Sequence, residues 1–160
     1  MKRLFAFLFG CACLEAKQES IVTDAFLDKV AMIESNFNYE AVGDKGKANG
    51  AWQMHEPAWK EACMWLAHTS EHRDYWIEYS YIYKEAVVSP KTSRIVAGAY
   101  FKILENQMKK NNISVTPSSL YMAWNMGYSG AKLYYFNPTC VALDTKRKSI
   151  LARANHILSR

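Results

Sequence analysis

At 160 residues, with 50% hydrophobic and 14% aromatic side chains, the chain is sized and stocked for one compact core, which excludes a disordered chain. Its formal charge of +5 and pI near 9.0 suit an anionic partner or surface, and suit ordinary solubility equally well. No zinc-finger spacing, RNP-like signature or phosphate-cradling glycine loop accompanies that charge, so nucleic acid is not expected as a partner.

The chain opens with Met1-Lys2-Arg3, a short basic start, followed by an apolar run from Leu4 to Cys13. That run has export-signal length and is too short to cross a membrane. Residues 1–16 are therefore expected to be a signal segment and residues 17–160 the domain. Leu8-Phe9-Gly10-Cys11 has the outline of a lipobox, which would make Cys11 a lipid anchor and the one route to a membrane. Cleavage after Ala16 competes with it, and a buried N-terminal helix is a third reading. Either export route implies the periplasm or cell envelope.

The next element is a helix near Asp24. At about 100° per residue, Phe26, Leu27, Val30 and Ile33 form one apolar arc, and Glu34 falls inside it. A glutamate among apolar neighbours loses hydration, which penalises its charged form and raises its pKa. A carboxyl group so placed stays protonated long enough to act as a general acid. A surface glutamate just past the helix end is the plainer reading of the same residues.

Beyond the helix, Gly43, Gly46 and Gly50 allow repeated turns, which can bring Trp52, Gln53 and Met54 back over Glu34. A small β-hairpin is expected in this Gly43 to Gln53 loop. Pro57 suits the first turn of a helix carrying Trp59, Cys63 and Leu66. Residues 67–88 are ambiguous, because Tyr79, Tyr81 and Tyr83 alternate as in a strand while their flanks look helical.

Ser89-Pro90 then opens a long helix whose stripe of Ile95, Val96, Ala99, Tyr100, Ile103, Leu104 and Met108 is expected to face the core. Thr116-Pro117 repeats the start signal for a helix through Leu120, Tyr121 and Trp124, which Gly127 can end. Thr145 begins a last helix with Ile150, Leu151, Ala154, Ile157 and Leu158 inward. The fold class is mostly α (α+β), a helical domain with a small β-hairpin or loop after the acid-bearing helix. Cys63 and Cys140 can pair or remain buried free thiols. His55, His68, His72 and His156 have no metal-ligand spacing, so no metal is expected.

Three motifs occur in order: Glu34-Ser35, then Gly50-Ala51-Trp52-Gln53-Met54 after the glycine-punctuated loop, then Ala123-Trp124-Asn125-Met126-Gly127. Together they resemble the catalytic region of the lytic transglycosylases of the lysozyme-like superfamily, over roughly residues 24 to 158. The resemblance implies a lysozyme-like fold and a monomeric enzyme that cleaves peptidoglycan glycan strands without a cofactor. It also implies that Glu34 acts first as acid and then as base, so that an anhydro-muramic end forms without water. Under it, Ser35, Trp52, Gln53, Met54, Trp124, Asn125 and Tyr128 bind substrate. Ser35 would bond near the acid or the sugar, Gln53 and Asn125 would use their amides, and Trp52, Trp124 and Tyr128 would offer flat faces to sugar rings. The family's further tyrosine near the acid could be Tyr100, Tyr134 or Tyr135.

Two other readings stay open on these residues. A hydrolytic muramidase would need a second carboxylate, for which Asp44 is best placed. A non-catalytic glycan-binding module would keep the groove and lose the chemistry.

Overall fold

The first helix, α1 (Asp24–Ser35), starts where the Thr23 hydroxyl accepts from the Phe26 N–H at 3.2 Å, satisfying a donor the first turn would otherwise leave unpaired. It ends at Asn36, whose left-handed backbone (φ 54°) turns the chain so that the Asn36 and Phe37 N–H groups reach the Met32 and Ala31 carbonyls. Phe26, Leu27, Val30 and Ile33 are buried, as the apolar arc requires. The computed structural model describes residues 19–160; the signal reading of residues 1–16, the Cys11 anchor and Cys13 lie outside the described residues.

The glycine-rich loop is a three-stranded antiparallel sheet, one strand more than the expected hairpin. Its strands are β1 (Val42–Gly43), β2 (Ala48–Asn49) and β3 (Met54–His55), in that spatial order. Gly43 pairs with Ala48, and Asn49 pairs with Met54. Two hydrogen bonds fasten the β2–β3 turn to α1. The Trp52 indole Nε1 donates to the Leu27 carbonyl at 3.0 Å, and the Ser35 hydroxyl donates to the Ala51 carbonyl at 2.9 Å. Gly50 permits the turn, since its φ is +76° and a Cβ there would stand 2.6 Å from the Val87 carbonyl oxygen.

The remaining helices follow their start signals. Helix α2 (Glu56–Thr69) has Pro57 in its first turn and buries Trp59, Ala62, Cys63 and Ala67. Residues 67–88 are helical rather than extended, as α3 (Arg73–Tyr81) and α4 (Tyr83–Ala86). Their buried residues Trp76, Ser80, Tyr83 and Val87 recur at helical spacing, while Tyr81 points to solvent and breaks the apparent alternation. Tyr83 also ties α4 to the sheet, accepting from the Asn49 amide at 2.9 Å and donating to the Met54 carbonyl.

The central helix, α5 (Pro90–Lys110), is capped by the Ser89 hydroxyl, which accepts from the Thr92 N–H. Val96, Ala99, Leu104 and Met108 are buried as expected, and Ala97 and Phe101 join them. Ile95 is instead 39% exposed, because the buried stripe is centred on Ala97, Phe101 and Leu104 and Ile95 falls on the far side. Helix α6 (Pro117–Met126) begins with a reciprocal cap between Thr116 and Ser119 and ends at Gly127. A short helix, α7 (Tyr128–Lys132), follows, and α8 (Thr145–Leu158) starts where Asp144 accepts from the Arg147 N–H at 2.8 Å. Leu151, Ala154 and Leu158 are buried, with Ile150 and Ile157 half-buried, so α8 packs across both α1 and α6.

The described residues are therefore mostly helical with a small three-stranded sheet. Cys63 and Cys140 are free thiols, and burial pushes the Cys63 thiol up to about 12. No helix among the described residues is long and apolar enough to cross a membrane.

Gly50→Ala should destabilise the fold by roughly 1–3 kcal/mol from left-handed strain alone, before the contact with Val87 is counted. Urea denaturation measures this directly. Wild-type stability would mean the β2–β3 turn does not need the conformation described.

Candidate active site

Glu34 stands in the last turn of α1, half-buried in a groove of about 610 Å³. Gln53 of the β2–β3 turn, His55 of β3, Trp124 and Asn125 of α6, and the first turn of α8 line the same groove. Burial pushes the Glu34 carboxyl up from 4.5 to about 7. Three groups act against that shift: Tyr121 and Trp124 stand at hydrogen-bonding reach of the carboxyl, and the Arg153 guanidinium lies near it. Loss of hydration outweighs all three. Arg153 is itself held on α1, since its Nη2 donates to the Ile33 carbonyl at 3.3 Å.

Helix α6 supplies most of the surroundings of the acid. Tyr121, Trp124 and Asn125 stand at i, i+3 and i+4, so they share one face. Tyr121 is buried, and desolvation, followed by the neighbouring Glu34 carboxyl, holds its hydroxyl far above the ordinary tyrosine range. The hydroxyl stays protonated beside the Glu34 carboxyl, with the Asn125 amide also near it. Trp124 is held by Phe101, with parallel rings 4.2 Å apart, and by Tyr100 at 5.7 Å. Phe26 of α1 meets Phe101 edge-on at 4.9 Å, which continues the aromatic column back to the helix that carries the acid.

The groove thus gathers Glu34, Gln53, Trp124 and Asn125, four of the residues singled out in the sequence. Others are corrected. Trp52 is 1% exposed with its N–H bonded to α1, so it supports the loop and offers no face to a sugar. Met54 is also a core residue at 1% exposure, touching only the wall of an adjoining cavity of about 350 Å³. Ser35 donates to Ala51 and accepts from the Asn38 N–H at 3.0 Å, so its hydroxyl joins helix end to loop. Tyr128 packs on Phe136 at 5.1 Å, away from both cavities, and its hydroxyl has no hydrogen-bond partner among the described residues.

Gln53 has a double part. It borders both cavities, yet its amide N–H groups bond the Gly50 and Ala41 carbonyls at 3.0 and 3.2 Å. Trp124 stands beside the Glu34 carboxyl and stacks one ring face on Phe101.

Tyr121 and Arg153 are the residues that sequence reading missed. Tyr121 was available through its spacing of one helical turn before Asn125, although its apolar flanks mark it as core. Arg153 had no local signal, because its contact with α1 spans 120 residues of sequence. Among the three candidates for the one tyrosine expected near the acid, Tyr100 lines the adjoining cavity, while Tyr135 is almost fully exposed.

Two further carboxylates border the groove among the described residues, Asp44 and Asp144. Asp44 is solvated, with 57% of its side chain exposed, and an oxygen 3.6 Å from His55 Nε2. Asp144 faces Arg147 Nε at 3.4 Å. Only Glu34 combines desolvation with a place in the groove. Comparison with protein-family models, with curated proteins and with solved structures finds no match to this chain.

Because the Glu34 carboxyl titrates near 7 when folded and near 4.5 when unfolded, the folded protein holds an extra proton between those values. Stability should therefore fall as pH rises through that window. Glu34→Gln removes the titration, so the variant should melt above the wild type at pH 8, and the gap should close at pH 4. An equal offset at both pH values would contradict the desolvation of Glu34.

Proposed function

We propose that the protein is an exported peptidoglycan lytic transglycosylase with a lysozyme-like fold, acting on the wall from the periplasm or cell envelope. The observation that supports this most is the one desolvated carboxyl in the groove among the described residues, Glu34, whose pKa near 7 suits both proton donation and proton recovery at neutral pH. The order of elements supports it as well: an acid at the end of α1, a small sheet folded beside it, then α6 bringing Asn125 to the same groove.

The chemistry follows from one group doing two jobs. Protonated Glu34 gives its proton to the oxygen joining N-acetylmuramic acid to N-acetylglucosamine, and the bond from muramyl C1 to that oxygen breaks. Positive charge develops at C1, as in other glycosidic cleavages. The Glu34 carboxylate, now steadied by Tyr121, Trp124 and Arg153, takes the proton from the muramyl residue's own hydroxymethyl group. That oxygen bonds to C1 and closes the anhydro ring. Atoms and protons balance without water, and the intramolecular attack gains from proximity. Gln53 and Asn125 border the groove where polar sugar substituents would lie.

A hydrolytic muramidase is the second reading, favoured by the presence of Asp44 in the same groove. Mass spectrometry of digested peptidoglycan separates the two, since the proposal requires anhydro-muramic ends and hydrolysis leaves reducing ends. Glu34→Gln should slow clearance of sacculi by about 10² to 10⁴, the usual contribution of general acid–base catalysis, while the variant stays folded by circular dichroism. Near wild-type clearance would remove Glu34 from the mechanism, and a binding-only protein would release no fragments at all.

A further inference from the structure

The charges around the groove are not all paired. Asp144 is paired with Arg147, and Asp44 has an oxygen 3.6 Å from His55 Nε2. Glu34 is neutral in the form that donates a proton. Lys146, in the first turn of α8, lines the groove with Glu34 and has no hydrogen-bond or ion-pair partner among the described residues. Arg153 adds positive charge behind the acid and is tied to the Ile33 carbonyl. The groove therefore presents, beside the acid, an ammonium group with no partner among the described residues.

We infer that Lys146 is a carboxylate-recognition position, selecting glycan strands whose sugars carry an acidic arm over neutral N-acetylglucosamine polymers. The inference rests on the transglycosylase reading for its substrate. In that substrate only the muramyl sugar bears an acidic arm, a lactyl ether that ends either in its own carboxylate or in a peptide stem with further carboxylates. Both sources present the same chemistry to an ammonium group, a charge-assisted hydrogen bond. Arg147 is a poorer candidate, because Asp144 occupies its guanidinium. Lys146 acts in binding and not on the reacting atoms.

The test uses Glu34→Gln, which leaves the strands uncut, alone and combined with Lys146→Ala. Calorimetry measures the affinity of each for soluble stem-bearing strands, for muramyl strands stripped of peptide, and for N-acetylglucosamine oligomers. Lys146→Ala should weaken binding of the acidic strands about tenfold, the scale of one charged hydrogen bond, and leave the neutral oligomers unchanged. Loss on peptide-stripped strands alone assigns the lactyl carboxylate, which the stem otherwise ties up as an amide; loss on stem-bearing strands alone assigns the stem carboxylates, and loss on both assigns whichever carboxylate ends the arm; each supports the inference. Equal loss on all three ligands, or none on any, overturns it. Product analysis with the wild type keeps the two claims apart. Anhydro ends with binding indifferent to Lys146 defeat this inference alone, and Lys146-dependent binding without anhydro ends defeats the transglycosylase reading alone.

Discussion

Desolvation of Glu34 is the constraint on which the rest of the arrangement depends. Burying an ionised carboxylate costs several kcal/mol, whereas a hydrogen bond to a charged group contributes about 1.5–3 kcal/mol. With Tyr121, Trp124 and Arg153 all favouring the charge, the carboxyl would return to an ordinary value if water reached it freely. It stays near 7 because α1, α6 and α8 close around it. The opposition is useful. A group held protonated by its surroundings, yet supplied with donors once ionised, can pass between both states at little cost.

The core and the site are built from the same contacts. The aromatic column from Phe26 through Phe101 to Trp124 fills the space between α1, α5 and α6, and it also fixes the Trp124 ring beside the acid. Trp52 and Ser35 hold the sheet turn on α1, which brings Gln53 to the groove wall. Gly43 takes part, since a Cβ there would lie 2.1 Å from Gln53 Oε1. These residues shape the groove through packing, and the residues that touch a ligand are a smaller set.

Much of the helical plan was legible in the sequence because it is locally encoded. Thr23, Ser89 and Thr116 each cap a helix with their own hydroxyl, and Pro57, Pro90 and Pro117 each sit in a first turn. Glu34 was legible for a related reason, being a polar residue inside a helical apolar arc. The strand-like tyrosines left residues 67–88 ambiguous, and the four-three-four spacing of buried positions outweighs alternation over a few residues. Motif position also overstated Trp52, Met54, Ser35 and Tyr128, since adjacency in sequence says nothing about which way a side chain turns. Arg153 and Lys146 come to the groove only when α8 folds back on α1 and α6, so no local pattern marks them.

The account turns on the protonation of one side chain, and that can be observed without any substrate. Carbon-13 labelling of glutamate carboxyls allows the Glu34 resonance to be followed by NMR across the pH range, with Glu34→Gln identifying the signal. The account predicts a midpoint near 7, well above that of a solvated glutamate. A midpoint near 4.5 would show that Glu34 is hydrated and charged at neutral pH, and the general-acid role would then fall with it.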